Sequence, residues 1–533
     1  MEKEKYYIST AIAYTSGKPH IGNTYEIVLA DVIARYKRLE GYDVYFQTGT
    51  DEHGEKIATK ASEVNKTPQE YVDDIVARAK KLWAELGINY DDFIRTTDER
   101  HVKVAQDVFS KFLAQDDIYK SSYKGLYCKS CEAYWTPTQV GDNNECPDCG
   151  KVTEVKEEEA YFFRMNKYAP WLINYYKENP NFVVPHARIN EMLNNFLLPG
   201  LNDLCVSRTS IDWGIQVKED PKHVIYVWID ALTNYISALG YNSDDDSLFQ
   251  KYWQDEDCEV VHLMSKEIIR FHTIYWPIML KQLGLRLPSK IYSHGWVLMK
   301  GGKMSKSVGN VVYPGYLINK YGVDTLRYYM TKIVPFGQDG TFTPEMFIEN
   351  INTDLVNNIG NLLSRTVAMI IKYFDGVVPS IDETCLNEYD TKLISAINNL
   401  VDKFESNMDE MKLTEGITNI FEIGDYANKY IDEKTPWILA KDEARKGELA
   451  NCMNLLAEAL RKIAIMFTSF FVETPEKMFA QLGTNENNKA YATLRENLSA
   501  GCNVSKLDAL FTRLDVNAEA EYIDNKMKEG LPY

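Results

Sequence analysis

Four thiols in two pairs, Cys128-x2-Cys131 and Cys146-x2-Cys149, are separated by 14 residues. Each CxxC turn presents two thiolates to one ion and the two turns close a tetrahedron, so the zinc they would bind is structural, with no open position. Two reduced redox pairs are the alternative, but no βαβ pattern surrounds them. Pro19-His20-Ile21-Gly22-Asn23 follows an early strand-like run and opens a helical pattern, where backbone N–H groups attract anions. Gly22 lets a ligand approach the backbone closely, and His20 can hydrogen-bond a phosphate oxygen as charge develops. A plain strand-to-helix turn with a surface histidine would read the same way. Gly301-Gly302-Lys303-Met304-Ser305-Lys306-Ser307 carries two ammonium groups and two hydroxyls on a glycine-hinged loop, which can close over a triphosphate or simply be a solvated loop.

Asp51 closes the run DVYFQTGT at the carboxyl edge of a strand, where open α/β sheets bind ligands. It is a candidate for gripping a substrate amine, or an N-cap of the following helix. Trp228, Ala231 and Tyr235 fall at i, i+3 and i+7 on one helix face, Phe271 and His272 lie on the next helix, and Ile12 and Tyr14 end the first strand. Spacing alone makes Trp228 and Tyr235 core residues. Asn361 and Arg365 share a helix face at i, i+4, and Trp437 follows the cap-and-proline pair Thr435-Pro436, in the first turn of a helix. Such residues can read splayed RNA bases, or they seal a bundle end.

The elements that must position these groups are legible in outline. To about residue 117, β-branched runs (YYISTAIAY, DVYFQTGT, DDFIRT) alternate with amphipathic helical patterns at 26–39 and 68–86, the signature of a parallel sheet. Residues 118–224 break this alternation as a Tyr-, Cys- and Asp-rich insert. The strand-like runs HVIYVWID, EVVHLMS and KIYSHGWV then resume it to about 340. Beyond 341, apolar residues at i, i+3, i+4 over 351–373, 391–408, 413–430 and 449–472 predict a helical bundle, followed by a polar strap or final helix with the patch LDALFTRLD. The expected class is α/β: a split, Rossmann-type doubly wound sheet (1–117 and 225–340), an inserted zinc-knuckle domain (118–224) and an α-helical domain (341–533).

The turn-mounted His20 and Asn23 together with the double-lysine loop resemble the HIGH and KMSKS signatures of class I aminoacyl-tRNA synthetases. AIAYTSGKPHIGN, TGTDEHGEKI, YVWIDALTNY, FHTIYWPIML and YIDEKTPWILAK resemble the blocks of the methionyl-tRNA synthetases, in that family's order. The chain departs at Asn23, where class I enzymes often have a second histidine, and at Met264-Ser265-Lys266-Glu267, where Ile-Gly-Lys-Asp is more usual. The resemblance implies a ligase that activates L-methionine with Mg2+-bound ATP and charges tRNA(Met), the initiator included. It assigns phosphate stabilisation to His20, Asn23, Lys303 and Lys306, and the borders of adenine and ribose to His294 and Val297, with Gly22 also at the nucleotide. Methionine then contacts Ile12, Tyr14, Asp51, Trp228, Ala231, Tyr235, Phe271 and His272, and the anticodon Asn361, Arg365 and Trp437.

Composition agrees with an ordinary globular protein: of 533 residues, 45% are hydrophobic and 26% charged. With 59 basic against 77 acidic residues the net charge is −18, so binding of a polyanion must be local. The start lacks the basic and apolar regions of a signal peptide, and the apolar stretch 463–472 is far below the ~20 residues that span a bilayer. Five of the nine cysteines are scattered singly, which suits a reduced cytoplasmic protein with one metal site. The absence of an appended tRNA-binding barrel after the bundle leads to the expectation of a monomer.

Overall fold

The computed structural model describes residues 3–529 apart from 130–132, 136, 138, 141–142, 148, 303 and 305–309. Strand Lys5–Thr10 is buried from its second residue onward, and its run KYYIST has no polar face to offer water. It lies inside a seven-stranded sheet, paired in parallel with Asp43–Asp51 on one side and Cys258–Ser265 on the other, with Ile8 opposite Phe46 and Val261. Lys290–His294 and then Val183–Val184 extend one edge; Ala13–Tyr14 and Asp92–Arg95 both pair with Asp43–Asp51 at the other. Every pairing is parallel, as near-continuous apolar strands covered on both faces require. The order reverses between Lys5–Thr10 and Cys258–Ser265, which places a ligand crevice beyond Thr10 and Ser265.

Two readings of the sequence are corrected here. HVIYVWID is not a strand of this sheet: only Val224–Ile225 is extended, in a short antiparallel pair with Ser207–Arg208, and Val227–Ser237 is helix. Tyr226 and Ile229 are buried at the helix start and in its first turn, because tertiary burial outweighs local preference. The two-residue strand Val183–Val184, with too little periodicity to stand out, completes the sheet from within the stretch read as the insert.

The chain divides into two compact units: residues 1–19, 43–81 and 89–294, and residues 20–42, 82–88 and 295–533. The first holds the parallel sheet and a four-stranded antiparallel sheet in the order Ala133–Trp135, Ile118–Cys128, Glu154–Phe163, Leu204–Cys205. The second holds helix Ile21–Glu40, the strand pair Val297–Met299 and Gly340–Phe342, and the helices of the bundle. Helix Lys446–Phe467 is buried almost all round, as expected of a bundle's central helix. Glu388–Asp409 and Leu413–Lys434 are amphipathic helices of the same bundle. The patch 507–515 is not helical; Leu514 is tied to Asn352 by two hydrogen bonds of 2.8 and 2.9 Å, and the final helix is Val516–Glu529. Among the described residues no helix is long and apolar enough to cross a membrane.

Candidate active site

In the second unit, helix Ile21–Glu40 begins at His20, whose extended backbone makes it the N-cap. Gly22 N–H donates to His20 Nδ1 at 3.1 Å, and His20 N–H donates to Asn23 Oδ1 at 3.1 Å. This is a capping box built with an imidazole and an amide in place of the usual hydroxyl and carboxylate. Because Nδ1 accepts, the ring proton sits on Nε2. No acidic residue stands in the first turn to repel an anion. Gly22 has a role beyond ligand approach, since a Cβ there would come within 2.9 Å of His20 Cε1 and 3.0 Å of Nδ1. The same Cβ would lie 3.6 Å from Met304 Cε, so the glycine-hinged loop reaches the helix start through Met304.

That loop leaves strand Val297–Met299 by a tight turn. Met299 N–H donates to Gly302 O at 2.8 Å, and the N–H groups of Gly301 and Gly302 return to Met299 O at 2.7 and 3.0 Å. Gly302 has φ 116°, open to glycine at little strain. Val297 is buried at the start of the strand. Lys303 and Lys306 lie outside the described residues.

In the first unit, Tyr14 stands opposite Asp51 in the register, which brings the ends of the first and second strand-like runs together. Thr15 closes the corner by donating its N–H and hydroxyl to Asp51 O, both at 3.0 Å. Asp51 is not a helix cap, because the helix Glu55–Glu63 is capped by Gly54. Ile12 and Tyr14 are half-buried, and Asp51 is buried. Trp228 stacks on Phe271, with ring centroids 3.4 Å apart and planes 12° apart, and the Arg270 guanidinium lies 4.8 Å from the Phe271 ring.

Beneath this pair, Ala231, Tyr235 and His272 are buried. His272 Nδ1–H donates to Ile268 O at 2.9 Å, so Nε2 accepts the Tyr235 hydroxyl at 2.6 Å. Burial lowers the His272 pKa to about 4, and the ring is neutral. Tyr235 packs 4.1 Å from the ring of His262, whose pKa is depressed by burial and, less, by the nearby His272 imidazole. His262 is held by Ser9 at 2.6 Å and by the Trp276 N–H at 3.1 Å. The two buried imidazoles are therefore uncharged and fixed in orientation. His294 is buried at the end of strand Lys290–His294, and its carbonyl accepts Lys266 N–H at 2.9 Å.

The thiols of Cys128, Cys146 and Cys149 lie within 4.8 Å of one another, with Cys128 Sγ 3.5 Å from Cys149 Sγ and no disulfide between them. The turn is set by Gly150 N–H donating to Cys146 O and Cys146 N–H donating to Lys151 O, both at 2.8 Å. Three converging thiols, two on this turn and Cys128 at the end of strand Ile118–Cys128, can hold a metal ion; Cys131 lies outside the described residues. A second group, Glu159, Asp220 and His223, also converges, but Lys120 Nζ is 2.7 and 2.8 Å from its two carboxylates and supplies the cation itself.

In the bundle, Asn361 and Arg365 are both exposed on helix Asn361–Phe374, and Arg365 lies 3.6 Å from Asp432. Trp437 is in the first turn of the helix Pro436–Leu439 and is 43% exposed, so it does not seal a core. Thr435 departs from the expected cap: it has φ 44° and no side-chain cap bond, ending the preceding helix in the left-handed region.

The family described as tRNA synthetases class I (M) matches residues 6–153 and 142–367, and the anticodon binding domain of methionyl tRNA ligase matches 378–528. The chain belongs to the methionyl-tRNA ligase family. The methionine–tRNA ligase of Clostridium tetani is 52% identical over 529 residues, covering 99% of this chain and 81% of its own. That of Bacillus subtilis is 51% identical over 543 residues, covering 100% and 81%. Among solved structures, Mycobacterium tuberculosis methionyl-tRNA synthetase in complex with methionyl-adenylate matches with a TM-score of 0.91 at 36% identity, over 96% of this chain and 100% of that one.

Sequence reading missed a buried group on the helix Val227–Ser237. Asp230 lies between His53 and His101, at 2.7 and 2.8 Å, and Trp213 packs on His53 with centroids 5.4 Å apart. The only available signal was an acid in an otherwise apolar helix start, VWIDAL, which has no business in a core without partners.

Proposed function

We propose that this chain joins methionine to the 3′ end of tRNA(Met), the initiator included, in two ATP-driven steps. The observation that carries the reading is the imidazole-capped helix start with Met304 of the lysine loop against Gly22, in a chain of this family. Methionine is held by its ammonium on Asp51 and by its thioether against Ile12, Tyr14, Trp228, Ala231, Tyr235, Phe271 and His272. Its carboxylate attacks the α-phosphorus of ATP; a new P–O bond forms, the bond to the β-phosphate oxygen breaks, and pyrophosphate leaves. The ribose hydroxyl at the tRNA 3′ end then attacks the acyl carbonyl, and AMP leaves. No side chain need act as nucleophile. His20 Nε2–H, the Asn23 amide, Lys303 and Lys306 stabilise the phosphate charge, and His294 and Val297 border the nucleoside.

ATP arrives with Mg2+, which neutralises part of the triphosphate charge. One zinc on Cys128, Cys131, Cys146 and Cys149 holds the turn of the insert at 118–224 together. Residues 1–117 and 225–340 carry the adenylation chemistry, while 341–533 read the anticodon through Asn361, Arg365 and Trp437 by hydrogen bonding and stacking. The protein works as a monomer in the cytoplasm, and a reduced compartment is supported by cysteines of which none is paired in a disulfide among the described residues. Amino-acid-dependent exchange of pyrophosphate into ATP tests the assignment. Methionine is expected to drive it far better than any other standard amino acid, and a stronger response to another would overturn it.

A further inference from the structure

Helix Val227–Ser237 carries Trp228, Ala231 and Tyr235, and among them a carboxylate with no exposure to solvent, Asp230. Burial by itself would raise the pKa of such a group. Here the charges and hydrogen bonds of His53 and His101 outweigh burial and hold the carboxyl below its ordinary range. His53 Nδ1 is 2.7 Å from Asp230 Oδ2, and His101 Nε2 is 2.8 Å from Oδ1. His101 returns to the same helix through Nδ1, 2.8 Å from the hydroxyl of Ser237 at its end. The helix is thus pinned at two points along its length.

His53 belongs to the other side of the pocket. It ends the segment Asp51-Glu52-His53 that leaves strand Asp43–Asp51. Glu52 is fixed independently: its carboxylate takes both arms of Arg95, at 2.7 and 2.8 Å, and its carbonyl accepts the Trp213 N–H at 2.6 Å. The His53–Asp230 bond therefore ties the segment that presents Asp51 to the helix that presents the apolar wall. Asp230 has no exposure to solvent and His53 only 7%, and ring and carboxylate are turned to each other.

We propose that His53, Asp230 and His101 form a positioning network that sets the distance between the ammonium-binding carboxylate and the thioether wall, and so sets affinity for methionine and discrimination by side-chain length. The proposal rests on the reading of Asp51 and the aromatic wall as the methionine subsite. A ligand gripped at both ends is sensitive to a shift of a fraction of an ångström in either grip.

Two near-isosteric variants separate positioning from packing. In His53→Asn the amide nitrogen falls near Nδ1 and can still donate to Asp230; in His53→Gln it falls near Nε2 and cannot. In pyrophosphate exchange, H53Q is expected to raise KM for methionine about tenfold, the scale of a lost charge-assisted bond. Its kcat and KM for ATP should stay within about threefold, and its relative use of ethionine and norleucine should change. H53N should recover most of the methionine KM. A methionine KM within twofold of wild type in H53Q would overturn the proposal. So would a joint fall of kcat, both KM values and the thermal midpoint, with no recovery in H53N. Asp51→Asn is the parallel control: an unchanged methionine KM in D51N, with the wild type active, would remove the subsite reading itself, whatever the H53 variants do.

Discussion

At the residue scale, the helix start at His20 shows a glycine chosen by its neighbour as much as by the ligand. The imidazole fills the space a Cβ at position 22 would need, the nearest contact being 2.9 Å, and this ring position keeps Nδ1 on the backbone and the ring proton on Nε2. Gly22→Ala should therefore displace the ring. Loss of one preorganised donor is worth about 10²-fold in kcat, so exchange should fall by that order while the thermal midpoint moves little, alanine being the better helix former. Steady-state exchange kinetics with a melting curve would check this, and unchanged kcat would mean the imidazole had relaxed without consequence.

The buried histidines carry a second prediction at this scale. His272 has a folded pKa near 4 against about 6.5 unfolded, and it stays neutral in the folded state. Between those values the unfolded chain binds the extra proton, so stability is complete above about pH 6.5 and falls as pH drops toward 4. At pH 5 the loss from this one ring is ~2 kcal/mol. His262 adds to it in the same direction. Denaturant melts at pH 7 and pH 5 should show the loss in wild type and a shallower one in His272→Gln; equal slopes would mean that another group governs the acid limb.

At the element scale, what was legible followed the strength of the pattern. Lys5–Thr10, Asp43–Asp51 and Cys258–Ser265 are runs of apolar and β-branched residues covered on both faces, and the four bundle periodicities match helices within a few residues. Val183–Val184 was invisible because two residues make no period, and HVIYVWID misled because its residue types suit a strand while its place in the core makes most of it helix. Trp437 was placed correctly by Pro436 alone, since a proline is at home only in a first turn. Its exposure predicts that Trp437→Ala raises KM for tRNA about ten- to hundredfold, the worth of one stacked base. Exchange without tRNA should be nearly unchanged. Equal losses in both reactions would make Trp437 a structural residue of the bundle.

At the scale of the whole molecule, what a sequence hides is long-range closure. The network of His53, Asp230 and His101 joins residues 129 and 177 positions apart, and no spacing rule reaches that far. The motifs of the candidate site were legible because each is local, a strand end, a helix start or a knuckle; the supports beneath them were not, because each is assembled from distant segments. Arg327 is the clearest support in the second unit. It has no solvent exposure, and its guanidinium donates to Asp31 at 2.7 Å, to Phe470 O at 2.6 Å and to Leu86 O at 3.1 Å. It thereby joins the first helix, whose N-cap is His20, to the end of the bundle's central helix and to the segment 82–88. Arg35 also contacts Asp31, at 2.6 Å, so loss of Arg327 would not leave that carboxylate alone; it would orphan two buried carbonyls and leave a cavity. Arg327→Met should therefore cost about 2–5 kcal/mol, from two carbonyls that lose this donor at about 1–3 kcal/mol each. Lysine should recover little of this, because a single ammonium cannot meet three acceptors that a planar fork reaches in different directions. Denaturant melts of R327M and R327K, with exchange kinetics well below the midpoint, would separate the possibilities: two destabilised but active variants support a scaffold role for the fork, whereas a lysine variant as stable as wild type would show that charge alone suffices at this junction.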